Sequence, residues 1–169
     1  MQNIKGQKKA EYSKTLIMDA LHSLMKTKPF DEISITEIAD KAGVSRLTFY
    51  RNFDRKEDVI FMHSDRIRRG ILKKFSGMEE TPDLRHMLDC CFSIRESQKD
   101  ICLLVHRDAL LDPAYQRSWS LALDEFPFLH RLTYTRRRIL MGGMYAILID
   151  LIEGKNKIDK ADAIESIIR

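Results

Sequence analysis

Proline and glycine are scarce in this chain, 4 and 7 of its 169 residues. Folds made of many short strands spend far more of both on turns, so the scarcity argues against a strand-and-turn architecture and leaves helix as the expected element. Cysteine is scarcer still. Cys90, Cys91 and Cys102 are an odd set without framework spacing, which speaks against a disulfide-stapled fold and predicts reduced thiols. No run of 18 apolar residues occurs, so no membrane-spanning helix is expected. The first six residues, Met-Gln-Asn-Ile-Lys-Gly, lack the apolar stretch of a secretory signal. A cytoplasmic protein without membrane contact is the expectation. The G-x-S-x-G, H-E-x-x-H, Walker A and dinucleotide patterns are all missing, which predicts a non-enzyme that needs no cofactor.

What is present is an uneven charge. The whole chain carries +4, but residues 1–75 hold 16 Lys+Arg against 10 Asp+Glu, a net +6, and residues 76–169 hold 13 against 15, a net −2. A polyanionic partner therefore suits the N-terminal half.

Apolar periodicity predicts helices along the chain. Between Lys8 and Lys26, Tyr12, Leu16, Ala20 and Leu24 recur at helical spacing with Ile17, Leu21 and Met25 beside them. Pro29 ends that helix, because the residue before a proline is driven out of the α region. Ser34-Ile-Thr-Glu37 reads as a capping box opening a short helix from Ile35 to about Lys41. Gly43 supplies the left-handed residue of a tight turn, and Ser45 caps a helix running to about Phe53. A longer helix follows from Asp54 or Arg55 to about Phe75, ending at Ser76-Gly77. Pro82 sits at a first helical position before an amphipathic run to about Ser97. Further helices are expected at Asp100–Leu111, Pro113–Phe126 and Asp159–Ile168. Leu140–Ile152 is apolar nearly all round, so it must be covered on several sides.

Three short helices with a glycine turn between the second and third form a helix-turn-helix plan, whose last helix enters the DNA major groove. Sorting that helix by face leaves Val44, Phe49 and Phe53 to pack inward and turns Arg46, Leu47, Thr48, Tyr50, Arg51 and Asn52 outward or to the rim. The stretch Ile35–Ile60, "ITEIADKAGVSRLTFYRNFDRKEDVI", closely resembles the N-terminal DNA-binding domain of the TetR family of bacterial transcription regulators. With the first helix included, the resemblance covers roughly residues 10–60. It implies an all-α protein of about nine helices. It also implies that Arg46, Leu47 and Thr48 lie at the base-facing positions of the recognition helix and that Tyr50, Asn52, Thr36 and Lys56 contact phosphates, with Ser45 and Arg51 completing the expected DNA-binding set. Arg46 suits guanine O6 and N7, and Leu47 a thymine methyl. Phosphate contacts would fix register without reading sequence. Leu47 replaces a residue that is often small in the family, and Asn52 stands where histidine is common.

The expected organisation is a DNA-binding domain at residues 1–55, a connecting helix at 56–80 and a helical dimerisation and effector domain at 81–169. The resemblance implies a homodimer on palindromic double-stranded DNA, acting as a repressor released by an effector. Alternatives are an architectural or protein-partner-controlled DNA-binding protein without a small ligand, and a helical interaction module without DNA function. The apolar Leu140–Ile152 run with Gly142-Gly143 is an independent argument for self-association. Leu140, Gly143, Tyr145, Ile147, Leu151, Ile164 and Ile168 are the expected dimer residues. Phe92, His106, Trp119, Phe126 and Tyr145 are the candidates to line an effector pocket. The run "RRRILMGGMYAILIDLIEG" resembles the end of a short C-terminal class within the family.

A metal sensor is a further alternative, because His86/Cys90 and Cys102/His106 are both i,i+4 pairs. If the chain folds back near Lys99, His86 and Cys102 are offset by about ten residues, roughly 15 Å at the helical rise. Four ligands then fail to converge, and no metal is expected. A thiol switch at Cys90-Cys91 is disfavoured, since buried cysteines are usually inert.

Overall fold

The computed structural model describes residues 2–76, 83–154 and 158–168. Among the described residues there are nine α-helices and no strand. They are α1 (Gln2–Met25), α2 (Ile35–Lys41), α3 (Arg46–Tyr50), α4 (Glu57–Ser76), α5 (Leu84–Ser97), α6 (Lys99–Arg107), α7 (Leu111–Glu125), α8 (Tyr134–Glu153) and α9 (Lys160–Ile168). Two 3-10 turns, Phe30–Glu32 and Pro127–Arg131, lie between α1 and α2 and between α7 and α8. No described helix is long and apolar enough to cross a membrane. Gly77 and Pro82, where the sequence ends one helix and begins the next, lie outside the described residues.

The chain divides into two compact units, Met1–His63 with Leu104–Leu110, and Ser64–Leu103 with Leu111–Arg169. In the first unit α1 buries Ile17, Leu21 and Met25, one side chain per turn, with Ala20 beside them. Tyr12, placed by periodicity on the same stripe, is instead exposed, and the buried face runs from Ser13 through Ile17. The capping box forms as the sequence predicts: Glu37 N–H donates to Ser34 Oγ (3.2 Å) and Ser34 N–H to Glu37 Oε2 (2.9 Å). Lys28 Nζ donates to Glu37 Oε1 at 2.5 Å, and this bond, with those from Ser34, holds the exposed carboxylate down at about 2.

Several helix limits differ from those the sequence predicts: α1 begins at Gln2, α3 ends at Tyr50, and for α6 and α7 the local reason is plain. α7 starts at Leu111, two residues before Pro113, because the first turn of a helix needs no amide donors and tolerates proline there. α6 stops at Arg107, because Ala109 takes a left-handed φ of 57°. Ala109 N–H donates to His106 O (3.0 Å) and Leu110 N–H to Val105 O (2.9 Å), the paired bonds of a Schellman end.

In the second unit α5, α8 and α9 pack on one another. Lys160 Nζ ties α9 to α5 through Asp89 (2.8 Å) and Ser93 Oγ (3.0 Å), and Arg85 pairs with Glu165 at 2.6 Å. Tyr115 of α7 donates its hydroxyl to Met141 O of α8 at 2.9 Å, a bond buried from water. Phe75, Phe126 and Phe128 form an aromatic cluster with ring centres 5.3 to 6.4 Å apart.

Candidate nucleic-acid interface

The turn before α3 is closed by the chain itself. Gly43, at φ 65°, donates its N–H to Asp40 O (3.1 Å), and Val44 N–H reaches Ala39 O (3.0 Å). The end of α2 is therefore the same Schellman arrangement, here with the residue type that adopts it without strain. Ser45 then caps α3, accepting from Thr48 N–H at 3.1 Å, and its hydroxyl also meets the Thr48 hydroxyl at 2.9 Å. One turn later the Asn52 side-chain amide donates to Thr48 O at 2.7 Å. These local bonds hold a helix of only five residues, which is too short to be stable on its own.

Packing fixes which way it faces. Phe49 is fully buried and lies 5.7 Å from both the Phe53 and the Tyr50 rings. Outward, Leu47 is 60% exposed and Tyr50 47%, with Arg46 and Arg51 exposed beside them. Thr36, in the first turn of α2, is exposed as well. Ser45 is also open to solvent, while Thr48 and Asn52 are half-buried at the rim. The face the sequence predicts is thus largely the face the structure presents.

Lys56 is placed differently. The sequence assigns it to a phosphate, but its ammonium donates to Phe30 O (2.7 Å), Ile33 O (3.0 Å) and Asp31 O (3.2 Å) and sits 4.4 Å above the Phe30 ring. An ammonium has three hydrogens, and three carbonyls of the Phe30 turn are arranged to take them. The same turn is held from the other side by Arg107 and Asp108. Phe30 N–H donates to Asp108 Oδ2 at 3.2 Å, and Arg107 Nη2 donates to Met25 O (3.0 Å) and Lys28 O (3.3 Å). Only the Arg107-Asp108 pairing itself is local enough to be read from a sequence.

Of the pocket candidates, Phe92, Trp119 and Phe126 line one cavity of about 50 Å³ in the second unit, together with Arg68, Tyr115, Met144 and others. Tyr145 does not line it, but packs its ring 4.9 Å from Tyr115. His106 belongs to the segment counted with the first unit and is not on the cavity wall, because α6 ends there and its last residues join the other body. A second cavity of about 90 Å³ is lined by Phe92, Glu96, Lys99, Leu148, Leu151 and Ile152.

The expected dimer residues divide. Leu140 and Ile164 are buried within the unit's own core, so they are not available on its surface. Gly143, Tyr145, Ile147, Leu151 and Ile168 are half-buried. The open side of α8 carries Ile139, 63% exposed, with exposed Gly142 and Ala146 along the same stripe. A methyl group added at Gly142 or Gly143 would meet nothing within 4 Å.

Among the described residues no group of three or more His, Cys, Asp or Glu side chains is placed to hold a metal ion. His86 Nδ1 is 2.8 Å from Asp83 Oδ1. Burial pushes the Cys90 thiol above its ordinary range despite nearby Lys74, so its thiolate is disfavoured.

A chain with this capped three-helix unit belongs to the helix-turn-helix class. Residues 17–61 match the family model described as bacterial regulatory proteins, tetR family. Over 96 residues it is 34% identical to the uncharacterized HTH-type transcriptional regulator YvkB of Bacillus subtilis (strain 168), a match covering 54% of this chain and 50% of that protein. The match thus spans about half the length of this curated relative. The fold is also similar to that of the fatty acid degradation regulator FadR from Bacillus halodurans, with a TM-score of 0.61 and 17% identity over 92% of each chain.

Proposed function

We propose that this protein is a DNA-binding transcriptional regulator, a repressor that binds a palindromic operator as a homodimer and is released by an effector. The observation that carries the reading is the α3 face: Arg46, Leu47, Tyr50 and Arg51 stand exposed on a helix fixed from behind by Phe49. A guanidinium and an aliphatic side chain at the start of a groove-sized helix suit base edges, with tyrosine and a second arginine suited to phosphates. The net +6 of residues 1–75 supports the same partner. The open Ile139, Gly142 and Ala146 stripe supports self-association, which would set two recognition helices about 34–36 Å apart.

Control by a protein partner in place of a metabolite is the second reading. The smallness of the cavity favours it, since ligand sites more often fall at about 300–1,000 Å³.

The test is recovery of sheared host DNA on the purified protein at moderate salt, followed by sequencing. A few promoter fragments sharing an inverted repeat are expected. Recovery of no fragments, or of all fragments alike, would overturn the reading. In the same assay Arg46→Ala should cost about 1–3 kcal/mol and relax preference at one base position, whereas Arg51→Ala should weaken all sequences alike and lower the salt slope by about 1.

A further inference from the structure

The cavity in the second unit is walled mainly by apolar side chains from α4, α5, α7 and α8, among them Ile71, Phe92, Trp119 and Met144. One residue on that wall is cationic. The Arg68 side chain is only 8% exposed, pairs through its two terminal nitrogens with Glu125 and Asp65, and keeps a buried Nε without a hydrogen-bond partner. A buried donor left without an acceptor costs free energy that a bound acceptor would recover. The one other strongly polar tip on this wall shown with a bond, the Tyr115 hydroxyl, is already spent on Met141 O.

Charge decides which acceptor. Asp65 and Glu125 already share the guanidinium, and Arg117, more than half exposed, stands 3.9 Å from Asp65. Because those pairings already neutralise the Arg68 charge, a carboxylate entering the cavity would bring a further negative charge without a partner, and its desolvation would go uncompensated. The group left unpaired on this wall is a donor, so an acceptor alone satisfies it, whereas a hydroxyl adds a donor of its own that must be satisfied in turn. A carbonyl oxygen brings neither a charge nor a donor. We propose that this cavity binds a small, neutral, apolar carbonyl compound whose oxygen accepts from the Arg68 guanidinium, and that such a compound is the effector; this last step rests on the regulatory reading above. Size limits it further. A cavity of about 50 Å³ is well below the roughly 150 Å³ that holds a benzene ring, so the ligand is a compact one seated by movement of Met87 and Met144, the flexible side chains on the wall.

The chain's single tryptophan lines the cavity, which makes Trp119 emission a direct reporter. The full chain is titrated with acetone, isobutane and acetate, three probes of four non-hydrogen atoms each. Saturable change with the ketone is expected, with the hydrocarbon at least tenfold weaker and the carboxylate weaker still. Arg68→Lys keeps the charge and removes the Nε donor, so it should weaken the ketone about tenfold and leave the hydrocarbon unchanged. Ala122→Leu, which fills the cavity without touching the guanidinium, should abolish the response. Equal affinity for ketone and hydrocarbon, tighter binding of the carboxylate, or no saturable change with any probe would each overturn the proposal. Promoter fragments recovered alongside such a result would leave the regulatory reading standing. Ketone binding that fails to release those fragments would overturn the effector role alone.

Discussion

His22 is buried on α1 with no partner for its Nε2, edge-on to the His63 ring at 5.0 Å. Burial, helped by Lys26, lowers it from 6.5 to about 4. The folded protein thus binds fewer protons there than the unfolded chain, and stability falls as pH drops below about 6.5. Between pH 7 and 5.5 this one residue should remove about 1 kcal/mol, measurable as a lower urea midpoint, and His22→Leu should flatten that part of the profile. Lys56 gives a second test at this scale. With its three carbonyl partners, Lys56→Met should destabilise the protein by about 2 kcal/mol while leaving the salt slope of DNA binding unchanged. A slope lower by about 1 would instead mark Lys56 as a phosphate contact.

Helix ends are the element-scale devices here, and two of them use one motif with different residues. Gly43 and Ala109 both occupy the left-handed position of a Schellman end, at φ 65° and 57°. Only alanine has a Cβ strained there. Ala109→Gly should therefore stabilise the protein by up to about 1 kcal/mol, and Gly43→Ala should cost about the same, both read from chemical denaturation. Nothing lies within 4 Å of a Cβ at Gly43, so the cost comes from backbone conformation and not from a clash. α3 owes its form to caps and to Phe49 more than to propensity, and Phe49→Ala should lose DNA binding together with about 3–5 kcal/mol of stability.

For the whole molecule, the exposed stripe of α8 leads to a prediction about assembly. Ile139→Glu places a charge on the face proposed to meet a second copy, while disturbing little within the chain because the residue is 63% exposed. The expected outcome is a monomer in sedimentation with unchanged helicity and lost operator binding. A dimer unaffected by the change would place the interface elsewhere.

The sequence by itself determined the helical class, the capping box at Ser34 and Glu37, the glycine turn and the inward and outward faces of α3. These are local: a 3.6-residue period, a hydroxyl three residues before a carboxylate, and one residue tolerant of positive φ are all readable within a few positions. Tertiary structure alone decided what distant residues do to one another. Lys56 meets a turn some 25 residues away, Asp108 meets Phe30 across 78, and Arg68 is buried against Glu125 across 57. Likewise Leu140 and Ile164 share an apolar character with Ile139, and only packing sorted which side chains turn inward and which one is left exposed. Charged side chains bury when another part of the chain supplies the compensating groups, and that supply has no signature at short range.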